Sequence, residues 1–296
     1  MTTSTDGVVA RVRANFDMSV DGESERLRKD VPGRVSFEIH RRFLDEHLPP
    51  GAHVLEIGAG PGIFTEHLAR SGARVTVTDL SPVQLEENRR RITDAGLAAA
   101  VAEWRVADVR ALSAFNDDVF DLTLAYGGPI SYVFEDAPLA LAELLRVTRP
   151  GGQVVASVMS TLGAYRYYIR GVVGEIAQHG DAAMDEVLSS GDLRPTQPSG
   201  HVCQMYRSDQ IPQLVERAGG QVLSMSASNW ASLGDGAALQ QLEADAQHWA
   251  HFLDNEAWIC RQPGALDGGT HILFAARHAE LAIDEQTAVP AGNERR

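Results

Sequence analysis

A doubly wound α/β fold with a mostly parallel sheet is what this sequence predicts, and three observations predict it. Short apolar runs rich in β-branched residues alternate with helical patterns of ten to fifteen residues from about residue 53 to residue 158, which is the signature of repeated βαβ units. The run V-L-E-I-G-A-G-P-G at Val54–Gly62 reads as a strand, a tight glycine turn and a helix start. Carboxylates then stand where strands end, at Asp79 and Asp108.

The elements follow in order. Val8, Val9, Val12, Phe16 and Met18 make a loosely helical segment from Val8 to Leu27, broken at Asp21-Gly22. Val35, Phe37, Ile39, Phe43, Leu44 and Leu48 imply a second helix, stopped by Pro49-Pro50-Gly51 because proline cannot continue a helix. The first strand begins at His53 or Val54. Ile63–Arg70 is helical and ends at Ser71-Gly72, and Arg74–Thr78 is a second strand that runs into Asp79. Ser81 and Pro82 start the next helix, whose Glu86, Glu87 and Arg89–Arg91 read as a solvated face. Strands are expected at Val101–Val106, Val119–Ala125 and Gln153–Val158. Between the last two lies a helix over Pro138–Val147, ended by Thr148–Gly152. Farther on, Ser208 is placed as the N-cap of a helix over Asp209–Ala218, followed by strands at Gln221–Ala227 and His271–Ala276.

Composition limits the function. With 296 residues, 44% of them hydrophobic, the chain suits one domain with an embedded lid. A formal net charge of −14 argues against a general grip on nucleic acid, whose phosphates need clustered Lys and Arg. Two cysteines, Cys203 and Cys260, without metal spacing argue against a disulfide scaffold or a structural zinc, and His248-x-x-His251 is too thin for a metal site. Residues 1–20 lack the apolar core of a signal peptide, and no run is long enough to span a bilayer. The expectation is a soluble, cytoplasmic protein that contacts no membrane, with oligomeric state left open.

The glycine loop suits a nucleotide-like ligand, but the third glycine of a dinucleotide fingerprint is replaced by Ile63, which weakens an NAD reading. The ordered set E-I-G-A-G-P-G at Glu56–Gly62, Asp79 after the second strand, A-D-V at Ala107–Val109, F-D-L at Phe120–Leu122 and L-R-V-T-R-P-G-G at Leu145–Gly152 resembles the class I S-adenosylmethionine-dependent methyltransferases over about residues 50–160. The resemblance implies a seven-stranded sheet with a reversed last strand, and S-adenosylmethionine lying across the carboxyl ends of the first strands. It also implies roles. Gly58, Gly60 and Gly62 let the backbone approach the cofactor while Glu56 braces the loop. Asp79 holds the ribose diol and Leu80 packs on the adenine. Asp108 accepts from the adenine amine and the Val109 N–H donates to a ring nitrogen. The carbonyl of Ala125 or Tyr126 accepts from the ammonium group.

Outside that core the chain is expected to build lids: residues 1–50 as an N-terminal helical segment, and insertions at about 160–206 and 229–268, before a disordered tail over 281–296. Tyr165, Tyr168, Tyr206 and His271 are the candidate substrate contacts. No Asn/Asp-Pro-Pro-Tyr/Phe stretch of base-modifying enzymes follows the fourth strand, where the chain reads Ala125–Pro129. A small organic acceptor with an oxygen or nitrogen nucleophile is therefore the leading expectation. The alternatives are an enzyme acting on tRNA or a protein side chain, and a non-catalytic cofactor-binding module. His201 is the candidate general base, since imidazole titrates near neutrality, with Tyr206 and His271 as competitors.

Overall fold

The computed structural model describes residues 5–18, 29–196 and 202–279. The chain opens with α1 (Thr5–Met18) and α2 (Val31–Asp45), the latter started by the Asp30 side chain, which accepts from the Gly33 N–H. The core then alternates β1 (His53–Ile57), α3 (Ile63–Arg70), β2 (Arg74–Asp79), α4 (Pro82–Asp94), β3 (Val101–Val106), β4 (Phe120–Ala125), α5 (Ala137–Val147) and β5 (Thr148–Ser160). After α6 (Thr161–Tyr167), α7 (Ile169–His179) and α8 (Asp181–Ser190) come β6 (Met205–Tyr206), α9 (Ile211–Arg217), β7 (Gly220–Ala227), α10 (Gly236–Glu243), α11 (Ala246–Ile259) and β8 (His271–His278).

The strands lie in the order β3-β2-β1-β4-β5-β8-β7. All pairs are parallel except those of β8, which runs antiparallel to both β5 and β7. The expected mostly parallel sheet with a reversed last strand is present. It carries an additional two-residue strand, β6, paired parallel with Met159 and Ser160 of β5. The order reverses between β1 and β4, and this is where a doubly wound sheet opens a crevice at its carboxyl edge.

Period-two alternation sends neighbouring residues to opposite faces. Leu55, Ile57, Ile272 and Phe274 join α5 and α9 in one core, while Val54, Leu273 and Ala275 join Phe43 and Leu44 of α2 and Leu68 of α3 in the other. The second helix is thus a layer of the core, which leaves α1 as the part of residues 1–50 to which the lid expectation applies. Two local expectations also change. Thr148–Gly152 belongs to β5, with its register shifting between Phe120 and Leu122; Gly152 must be glycine there, since a Cβ would meet the Asp121 carbonyl oxygen at 2.7 Å. Ser208 does not cap a helix, because Asp267 takes both its N–H (2.7 Å) and its hydroxyl (2.6 Å); a 3₁₀ turn over Ser208–Gln210 precedes α9.

The two insertions form small cores of their own. In the first, Val172, Met184, Val187, Cys203 and Met205 gather with Tyr165. In the second, α10 and α11 pack Leu239 and Leu253 against Val31, Val35 and Ile39 of α2. Glu256 of α11 is fully buried and accepts from the N–H groups of Trp230 (2.7 Å), Ala231 (3.1 Å) and Ser232 (3.1 Å) and from the Ser232 hydroxyl (2.9 Å). Among the described residues no helix is long and apolar enough to cross a membrane. Glu256→Ala strands these donors in the interior and is expected to cost about 3 kcal/mol or more in urea unfolding, with Glu256→Gln costing less. Equal stability of Glu256→Ala and the parent would show that the turn finds other acceptors.

Candidate cofactor site

A cleft opens over the carboxyl ends of β1, β2, β3 and β4, and α1 forms its roof. Its floor is the glycine loop. Gly58 has φ +66°, and a Cβ there would meet Pro129 Cγ at 2.6 Å, so the loop after β4 is pressed against it. Gly62 begins α3 at φ +90°, and its Cβ would touch the Asn88 side chain at 3.0 Å. The glycine at 62 is therefore required by α4 behind the loop, whereas Gly58 and Gly60 line the cleft itself.

Asp79 closes β2 and lines the same cleft. One carboxylate oxygen accepts from the Gly60 N–H (2.8 Å) and the other from the Ser81 N–H (2.8 Å). Burial pushes this carboxyl up to about 6, the two backbone donors pull the other way, and Asp17 of α1 adds to the rise. Ser81 both caps α4, accepting from the Gln84 N–H (3.1 Å), and donates its hydroxyl to Asp17. Gln84 Nε2 donates to the Phe16 carbonyl (2.9 Å). At the other end of α1, Arg110 reaches Asp6 (2.9 Å), Asp136 (3.0 Å) and Asp108 (2.7 Å). The roof is thus tied at both ends, while Val8 and Val12 bury against Phe134 and Val202.

Behind the loop runs a directed chain of hydrogen bonds. Trp104 Nε1 donates to Asn88 Oδ1 (3.1 Å), Asn88 Nδ2 donates to Thr65 Oγ1 (2.8 Å) and to the Gly60 carbonyl (3.3 Å), and Thr65 donates to Glu56 (2.6 Å). Burial pushes the Glu56 carboxyl up to about 8; the Thr65 bond opposes this and the Asp79 charge adds to it. Glu56 braces α3 through a side chain and does not line the cleft.

Seven of the residues expected at the cofactor, Gly58, Gly60, Asp79, Leu80, Asp108, Val109 and Tyr126, line the cleft together; Glu56 and Gly62 stand behind it. The Tyr126 hydroxyl is spent on the His40 carbonyl (3.1 Å), and its ring stands edge-on to that of His40. The four expected substrate contacts lie elsewhere. Tyr165 packs in the first insertion, Tyr168 is 59% exposed, and Tyr206 is buried in the main core, where burial raises its phenol. His271 is buried at the start of β8, 5.9 Å from the His40 ring. His201 and the tail over 281–296 lie outside the described residues. Of the three expected lids, α1 lies over the cleft, and the insertions supply none of its described lining residues, although Val202 of the first packs against α1. Arg13, Gln84 and Tyr132 also line the cleft, and Asn88 and Arg110 brace it, without a local pattern that singles out most of them: Asn88 lies in a helix with the pattern of a solvated face, whereas Arg110 directly follows A-D-V, which is a signal for it.

A reversed-strand sheet, a glycine loop and a strand-end carboxylate converging on one cleft agree with the resemblance to class I S-adenosylmethionine-dependent methyltransferases, and comparison with known proteins assigns that domain to the core of this chain. Residues 54–152 match the family model described as methyltransferase domain. The ubiquinone/menaquinone biosynthesis C-methyltransferase of Paracoccus denitrificans is 35% identical over 161 residues, covering 53% of this chain and 59% of that protein. The ubiquinone biosynthesis O-methyltransferase of Methylocella silvestris is 33% identical over 170 residues, covering 52% and 62%. The chain thus spans less than two thirds of the length of these relatives. In fold it is similar to the Burkholderia thailandensis 1,6-didemethyltoxoflavin-N1-methyltransferase, solved with 1,6-didemethyltoxoflavin and S-adenosylhomocysteine bound. That likeness has a TM-score of 0.57 at 17% identity and covers 95% of this chain and 92% of that one.

The buried carboxyls make stability depend on pH. Glu56 titrates at about 8 when folded against 4.5 ordinarily, so over that interval the folded state holds a proton the unfolded state lacks. Stability is therefore lost as pH rises through the interval, by up to about 1.4 kcal/mol per unit. Asp79 contributes in the same sense up to and just past about 6, and half-buried His47 and His53, held below the usual imidazole range by burial, contribute in the opposite sense, so the Glu56 part is read as a difference from Glu56→Gln. Urea midpoints of the parent are expected to fall relative to those of Glu56→Gln between pH 6 and pH 8. A constant difference across that range would mean that Glu56 does not titrate there.

Proposed function

We propose that this chain transfers a methyl group from S-adenosylmethionine to a small organic molecule, with an oxygen or nitrogen nucleophile as the first choice. One observation carries this reading. The buried Asp79 carboxylate faces a cleft whose roof and far wall are Val9, Val12, Phe16, Tyr132 and Val133, apolar surfaces suited to a small apolar or aromatic body. Relatives whose names place them in ubiquinone biosynthesis, as C- and O-methyltransferases, support it. The net charge of −14 weighs against a polyanionic acceptor.

The residues present fit the cofactor. Asp79 keeps lone pairs for a ribose diol after its two backbone bonds, Leu80 offers an apolar face to a base, and Asp108 on the rim accepts from an exocyclic amine. The carbonyl of Ala125 or Tyr126 is the acceptor proposed for the ammonium group. When bound, S-adenosylmethionine supplies an electrophilic methyl on a sulfonium. The protein's part is to hold the acceptor in line with it and to exclude water, which the tied apolar roof does. The Tyr206 phenol, raised by burial in the core, takes no proton near neutrality, and His271 is not among the residues lining the cleft, so of the three candidates His201 is the base proposed.

Calorimetric titration is expected to show micromolar binding of S-adenosylmethionine and S-adenosylhomocysteine. Asp79→Ala should lose about 2–4 kcal/mol, a thirtyfold to thousandfold weakening, from two charge-assisted hydrogen bonds. An unchanged dissociation constant would place Asp79 outside the site. Turnover of labelled cofactor with a metabolite library, followed by mass spectrometry, identifies the acceptor; cofactor binding without any turnover would favour a binding module.

A further inference from the structure

We infer that Arg13 is the residue of this cleft that recognises a carboxylate on the ligand entering beneath α1. This rests on the methyltransferase reading and deepens it. Arg13 lies on the cleft face of α1 with Val9, Val12 and Phe16, and it is the only cationic side chain among the described lining residues. Its ion partner is Asp17, one turn on, at 3.8 Å, too far for a hydrogen bond. Asp17 is itself committed to the Ser81 hydroxyl. The other carboxylates of the cleft do not need Arg13. Asp79 is satisfied by the N–H groups of Gly60 and Ser81, and Asp108 by the fork of Arg110.

The Arg13 side chain is 46% exposed, so water solvates its guanidinium when the cleft is open. A ligand filling an apolar-roofed cleft removes that water, and a charge taken out of water is costly unless an opposite charge replaces it. S-adenosylmethionine carries two positive groups and one carboxylate, so a cation in its cleft repels the ligand as a whole unless matched to that carboxylate or to an anionic acceptor. The planar fork of arginine suits a carboxylate through two parallel hydrogen bonds.

The two sources of the carboxylate are separated by binding measurements on the full chain, comparing the parent with Arg13→Met, which keeps the apolar stem, and with Arg13→Lys. One arm titrates S-adenosylhomocysteine and its decarboxylated analogue. The other titrates benzoate and benzamide into protein saturated with S-adenosylhomocysteine. Weakening of about tenfold to a hundredfold is expected for the carboxylate-bearing member of one pair, with no weakening of its carboxylate-free counterpart, which is a cation in the first pair and neutral in the second, and with Arg13→Lys in between. Loss confined to S-adenosylhomocysteine assigns Arg13 to the cofactor; loss confined to benzoate assigns it to the acceptor. Arg13 is an exposed helix residue, and matching thermal melts confirm that the variants fold. Equal weakening of both members of a pair, or no change in either arm, overturns the inference while leaving the methyltransferase reading intact. A parent chain that binds no S-adenosylhomocysteine overturns both.

Discussion

The Asp79 carboxylate, held between the Gly60 and Ser81 N–H groups, is the constraint on which the rest of the site depends. One bond fixes the glycine loop after β1, the other fixes the start of α4, and the buried charge is tolerable only because both are made. Ser81 then carries the constraint outward to Asp17 and so to α1. Floor, wall and roof of the cleft are therefore referred to a single side chain at the end of β2.

The loop is also held from behind. Asn88 places one amide group on both the Gly60 carbonyl and Thr65, while its oxygen takes the Trp104 indole, so β3, α4, α3 and β1 meet through one residue. Chains of this kind polarise one another in a low-dielectric interior and penalise any missing member. The Gly60 peptide is consequently fixed at its N–H by Asp79 and at its carbonyl by Asn88. A backbone with so little freedom is pre-organised for a ligand laid across it.

The insertions have a different relation to the cleft. The first builds a small core around Val172, Met184 and Cys203, and the second covers α2 and locks its turn with Glu256. Both enlarge the domain at its flanks, and the first also lends Val202 to the packing of α1. The roof is left to α1, whose ties are a few polar bonds and a modest apolar contact to Phe134 and Val202. An element held in this way opens at lower cost than the sheet beneath it.

The sequence by itself determined the βαβ order, the strand ends and the residues at them. Local patterns suffice for these: period-two apolar runs, glycines where φ is positive, and prolines and Ser81 at helix boundaries. Ile63–Arg70 and Val101–Val106 were legible to the residue for that reason. Gly58, Gly60, Asp79 and Asp108 were legible as a site because parallel strands bring their carboxyl ends together. Only the tertiary structure decided that Gly62 answers to Asn88, that Asp267 takes Ser208 from its helix, and that Tyr165, Tyr168, Tyr206 and His271 lie away from the cleft. Aromatic residues in a segment of unknown docking can as well fill a local core as face a ligand. The choice depends on which surfaces the insertion buries against its neighbours, and contacts between residues distant in sequence leave no mark in the local pattern.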